Sequence, residues 1–89
     1  MTRYKRNDEN FLISQLGQEL VLMDTKTGDY LGINAVGTHI WNLLAGSKSV
    51  QELVADLISR FEVTESQCQT EVENFLSDLE KRKMVSLVS

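Results

Sequence analysis

The sequence predicts an α+β domain in which a three-stranded antiparallel sheet precedes three helices. Three observations carry this. Two β-rich apolar runs near the start of the chain are separated only by Leu16, Gly17 and Gln18. Apolar residues then recur without a miss at Val50, Leu53, Val54, Leu57, Ile58 and Phe61, the i, i+3, i+4, i+7 repeat of an amphipathic helix. Two capping pairs, Ser49 with Glu52 and Thr64 with Gln67, mark helix starts.

Taken in order, Phe11 to Gln15 and Glu19 to Asp24 read as a hairpin, and the almost continuously apolar ELVLMD suits a middle strand. The stretch Thr25-Lys26-Thr27-Gly28-Asp29 is a turn, with glycine where a positive φ is expected, and it leads into a third strand, Tyr30 to Ile33. Asn34 is a credible N-cap for a helix from Ala35 to about Ala45, ended by Gly46, with Val36, Ile40, Leu43 and Leu44 on one face. The second helix runs from Val50 to Phe61. The third opens at Thr64 and reaches about Arg82, with Cys68, Val72, Phe75, Leu76 and Leu79 as its inward stripe. Met84, Val85 and Leu87 trail off it. Strands collected before helices resemble a winged helix-turn-helix, an order that by itself says nothing of activity.

Length and composition bound the function. At 89 residues the chain is expected to form one domain, 1–89, with 1–9 flexible. Its 42% hydrophobic and 25% charged content suits a globular protein. No apolar run approaches the ~20 residues of a membrane span, and a single cysteine suits a reducing compartment, so a cytoplasmic protein without membrane partners is expected. The net charge of -4 opposes a phosphate backbone. The basic residues gather at Arg3, Lys5 and Arg6 and at Lys81, Arg82 and Lys83, and read as solubilising ends, the second group also suiting a helix C-terminus.

Little points to catalysis. The only thiol, Cys68, falls on the inward stripe of the third helix, where a free cysteine is usually a small core hydrophobe, and the only histidine, His39, reads as a partly covered residue of the first helix near the sheet. These two ligands do not make a metal site. Glu71, Glu73, Asp78 and Glu80 sit on outer helix faces, where solvated charge is ordinary, and GDYLG lacks the helix start that would cradle a phosphate. The expectation is a non-enzyme without cofactor or metal.

Recognition remains, and two modes suit the architecture. A winged-helix DNA-binding regulator would present Glu65, Gln67, Gln69, Glu71 and Glu73 to phosphates, and repulsion argues against it. In the second mode a peptide adds as a strand to an open sheet edge. The last strand of a meander has one sequence-adjacent neighbour, so Tyr30 to Ile33 is the natural free edge, protected only by its shortness. Proline at Leu31 or Ile33 is expected to remove a ladder donor there. Alternatively, another part of the chain covers the edge, or two copies pair through it as a dimer.

The run from Glu19 to Val85 resembles the PqqD-like family, small leader-peptide-binding domains known as RiPP recognition elements. The matching residues are Asp29-Tyr30-Leu31-Gly32-Ile33-Asn34, Gly37, Ile40-Trp41-Asn42-Leu43-Leu44 and Gly46, Ser49-Val50 with Leu53 and Leu57, then Val72, Phe75-Leu76 and Leu79 before Met84-Val85. The resemblance implies a stand-alone module that holds the leader of a ribosomally made precursor peptide and presents it to a processing enzyme. The leader would add to the third strand beside a groove along the third helix. Carried onto this chain, that places Asp29, Tyr30, Leu31, Gly32 and Ile33 on the pairing edge, with Glu71, Asn74, Phe75 and Asp78 chosen by helical spacing as the groove wall. The chain lacks the arginine- and proline-rich character of members serving pyrroloquinoline quinone synthesis, and is more similar to the free-standing proteins of lasso-peptide clusters. That implies a leader peptidase as partner, with a radical-SAM maturase as the alternative, and a monomer or an edge-paired homodimer.

Overall fold

The structure, a computed structural model, describes residues 2–7, 9 and 11–88. In chain order its elements are β1 (Arg3–Arg6), β2 (Phe11–Leu16), β3 (Glu19–Asp24), β4 (Tyr30–Ile33), α1 (Ala35–Leu43), α2 (Val50–Arg60), α3 (Glu65–Lys81) and β5 (Val85–Val88). The expected meander is β2-β3-β4, antiparallel throughout, so the strand counted third in the sequence is β4. Gly17 at φ 65° turns the first hairpin, and Gly28 at φ 80° takes the left-handed conformation expected in the second turn. The Asp24 carboxylate organises that turn by accepting from the Lys26 amide at 2.8 Å.

Leu20 and Leu22 of β3 pair with Ile33 and Leu31 of β4, and together these side chains form the inner face of the sheet. The helices cover that face. Ile40, Trp41, Leu44, Leu53, Leu57, Val72, Leu76 and Leu79 close over it as one continuous core. Ile58, expected inward, is 39% exposed, and Phe75 packs against the core only in part. All three helix starts are capped as anticipated. The Asn34 side chain accepts from Gly37, Ser49 and Glu52 form a reciprocal capping box, and Thr64 accepts from Gln67. Helix α1 ends at Leu43, two residues short of the expected boundary.

A second, two-stranded sheet, β1-β5, has no counterpart among the elements that the sequence predicts. Where residues 1–9 were expected to be flexible, Arg3–Arg6 form β1, antiparallel to β5, the segment expected to trail off α3; Met1 and Asp8 lie outside the described residues. The N-terminal basic residues are also not merely solubilising. Arg3 contacts Glu52 at 2.9 Å and Ser47 Oγ at 3.1 Å, and the Arg6 guanidinium lies 5.6 Å from the Trp41 ring centroid. Tyr4 and Lys48 exchange two backbone hydrogen bonds, tying β1 to the connection between α1 and α2. The polar sequence RYKR forms a strand because its partner lies at the opposite end of the chain, a pairing that no local pattern announces.

The chain turns from α3 into β5 through Lys83 at φ 59°. The Met84 amide donates to the Leu79 carbonyl at 2.8 Å and the Lys83 amide to Glu80 at 3.0 Å, the paired bonds of a Schellman motif. Met84 and Leu79, both buried, supply its accompanying apolar contact.

Candidate functional site

The chemistry of β4 begins with its backbone. The Asp24 amide donates to the Asp29 carbonyl at 2.7 Å. In an antiparallel ladder hydrogen-bonded pairs alternate, so Leu22–Leu31 and Leu20–Ile33 are bonded in the same sense as Asp24–Asp29. The N–H and C=O groups of Leu31 and Ile33 therefore face β3. Those of Tyr30 and Gly32 face outward, and no described residue takes them. Proline at Leu31 or Ile33, expected to remove an edge donor, would instead break the domain's own sheet. The edge donors are Tyr30 and Gly32.

Beside this edge a groove of about 430 Å³ runs between β4 and α3. Leu31, Gly32 and Ile33 form one bank, and Glu71, Asn74, Phe75 and Asp78 line the other. Their spacing on α3 puts these four on one stripe, as the helical repeat requires. Two residues of the expected pairing edge contribute differently. The Asp29 carbonyl is occupied by β3, and its exposed side chain does not line the groove. The Tyr30 side chain, 72% exposed, stands on the outer face of the sheet, and Tyr30 does not line the groove.

The floor lies deeper than the sequence indicates. Gly37 and Ile40 of α1, Leu57 of α2, the following Phe61 and Val63, and Cys68 and Val72 of α3 continue the groove past the end of β4. The signal that could have pointed there is Gly37, a glycine inside a helix. A Cβ at this position would overlap the Ile33 Cγ2 methyl and lie 3.3 Å from Phe75 Cζ, so its absence lets α1 approach β4 and the Phe75 ring. The Thr38 hydroxyl donates to the Ile33 carbonyl at 3.3 Å, locking α1 to the end of the strand.

Two carboxylates, Glu71 and Asp78, stand on the α3 bank, and no lysine or arginine lines the groove. Asp78 is 3.3 Å from Arg82 Nε, one turn on. No described cation pairs with Glu71. Burial, and then the nearby Glu71 charge, push the Cys68 thiol up, away from the thiolate a nucleophile needs. His39 is partly covered, as expected, and its partners lie on and just after α2. Its Nε2 hydrogen-bonds Asp56 Oδ1 on α2 at 2.8 Å, and its ring meets Phe61 edge-on at 6.0 Å. Among the described residues no group of three or more His, Cys, Asp or Glu is placed to hold a metal ion, and no helix is long and apolar enough to cross a membrane. An open strand edge beside an apolar, acid-rimmed groove is suited to an extended polypeptide.

Two solved structures share this fold. The structure titled "TbiB1 in Complex with the TbiA(beta) Leader Peptide" superimposes with a TM-score of 0.79 over 92% of this chain and 94% of that one, at 28% identity. A lasso peptide synthetase B1 complexed with the leader peptide superimposes with a TM-score of 0.80 over 93% and 96%, at 19% identity, and shares the fold. No curated protein gives a significant match. Residues 19–85 match the family described as coenzyme PQQ synthesis protein D, and with the strand edge, groove and helices in the order just described the chain belongs to the PqqD family.

Proposed function

We propose that this protein binds the leader segment of a ribosomally synthesised precursor peptide as an added strand on β4, seats alternate leader side chains in the groove against α3, and presents the bound precursor to a leader peptidase in lasso-peptide or related biosynthesis. The observation that carries this reading is the outward N–H and C=O of Tyr30 and Gly32 beside a groove walled by Phe75. The leader-peptide complexes of the two similar structures support it.

Magnitudes divide the work between backbone and side chains. Up to four edge hydrogen bonds at ~0.5–1.5 kcal/mol net each barely offset the ~1–2 kcal/mol per residue needed to order the peptide. Two or three leader side chains buried in the groove, at ~1.5–3 kcal/mol each, lift the sum to useful affinity. Selectivity therefore resides in the groove, and the ladder sets orientation.

The test is amide NMR of the labelled protein titrated with synthetic leader peptides, beginning with the TbiA(beta) leader bound by the similar TbiB1. The Tyr30 and Gly32 amides should shift and become protected from exchange, together with Phe75 ring contacts to the peptide. Perturbations confined to β2, or to the outer face of the sheet, would reject this mode.

A further inference from the structure

The groove also specifies the kind of residue it accepts. This inference rests on the leader-binding reading and adds a charge requirement to it. A strand added to β4 shares its pleat, so residues aligned with Leu31 and Ile33 point into the groove, while those between them lie on the outer face with Tyr30. Successive inward positions are about 6.6 Å apart, so three of them span roughly 13 Å. On the opposite bank, Glu71, Phe75 and Asp78 cover about 10 Å of α3 at ~1.5 Å per residue. The two spacings agree within the reach of a side chain. With the added strand running alongside α3, an inward residue opposite Phe75 has inward neighbours at the Glu71 and Asp78 ends.

These ends are not equivalent. Asp78 already has Arg82 as an ion-pair partner, whereas Glu71 has no described cation beside it. The same groove is lined by Phe61, Val63 and Val72, apolar side chains against which a long aliphatic stem can pack while its charged head reaches the Glu71 carboxylate. The net charge of -4 further favours the approach of a cation. The geometry points to a leader segment that places a lysine or arginine at Glu71, two residues along the strand from an apolar side chain seated on Phe75. Glu71 is the specificity-determining residue for that charge.

The test is mRNA-display selection of random peptides about a dozen residues long on the immobilised full chain. Wild-type protein should enrich an apolar residue with lysine or arginine two positions away. Glu71→Lys should switch the enriched charge to aspartate or glutamate at that same position. Glu71→Gln should weaken the best basic peptide roughly 3–10-fold and flatten its salt dependence. Glu71 is exposed on α3, so both variants should keep the wild-type melting temperature. Enrichment of apolar alternation without charge, or a basic preference that survives Glu71→Lys, overturns the charge requirement and leaves strand addition standing. Enrichment of no peptide at all overturns both.

Discussion

The Asp24 amide and the Asp29 carbonyl meet at 2.7 Å, and this one bond sets the parity of β4. It turns the backbone of Leu31 and Ile33 toward β3 and leaves that of Tyr30 and Gly32 outward. Proline therefore has opposite consequences at adjacent positions. At Gly32, where a Cβ meets nothing within 4 Å, proline should fold normally and weaken leader binding at least ~10-fold, through one lost donor and a ring in the path of the incoming strand. Leu31→Pro should instead lower the urea midpoint sharply. Calorimetric titration and urea unfolding of both variants decide the matter, and equal stability losses would refute the assigned parity.

Gly37 tests the closeness of α1 to β4. Alanine in a helix interior ordinarily stabilises by about 1 kcal/mol relative to glycine. Here the added methyl collides with Cγ2 of Ile33, a buried β-branched side chain that is stiff at χ1. The overlap should win, with Gly37→Ala costing about 1–3 kcal/mol and lowering the melting temperature by several degrees. A variant more stable than wild type would show that the Ile33 side chain yields freely.

The Asp56 carboxyl predicts an acid limb of stability. The hydrogen bond from His39, and then Arg60 at 2.7 Å, hold it below its ordinary value of 3.8. Because the folded form binds its proton less readily than the unfolded chain, its contribution is fully present above the unfolded value and fades as pH falls through the folded one. Urea midpoints followed from neutral pH into the acid range should therefore drop more steeply for wild type than for Asp56→Asn below about pH 4. The variant should also be less stable at neutral pH. Parallel acid limbs for the two proteins would contradict this assignment.

Lys83 sits in the left-handed region that glycine occupies at no steric cost. Its amide and that of Met84 close α3, so the conformation is required by the fold. Lys83→Gly should raise stability by about 0.5–1 kcal/mol, read as a higher melting temperature with unchanged leader binding. A destabilised variant would mean that the lysine side chain contributes more than its backbone costs.

Local information was enough for most elements. Each capped helix start, at Asn34, Ser49 and Thr64, is a side chain meeting an amide three residues on, and such contacts are written in adjacent positions. The meander was equally legible, because its strands are β-rich apolar runs joined by short turns that carry glycine. So was the α3 stripe from Glu71 to Asp78, which follows directly from helical spacing and does border the groove.

What only the tertiary structure decided depends on residues distant in sequence. The β1–β5 pairing joins the two ends of the chain, and RYKR carries no apolar pattern from which to infer it. His39 finds Asp56 because α1 and α2 pack together, and the groove reaches Leu57 and Phe61 because α2 ends beneath it. The free side of β4 hangs on a bond across the turn at Gly28. Periodicity identifies which side chains share a face, whereas the direction of a backbone amide and the partner of a side chain are set by packing among segments that the sequence keeps apart.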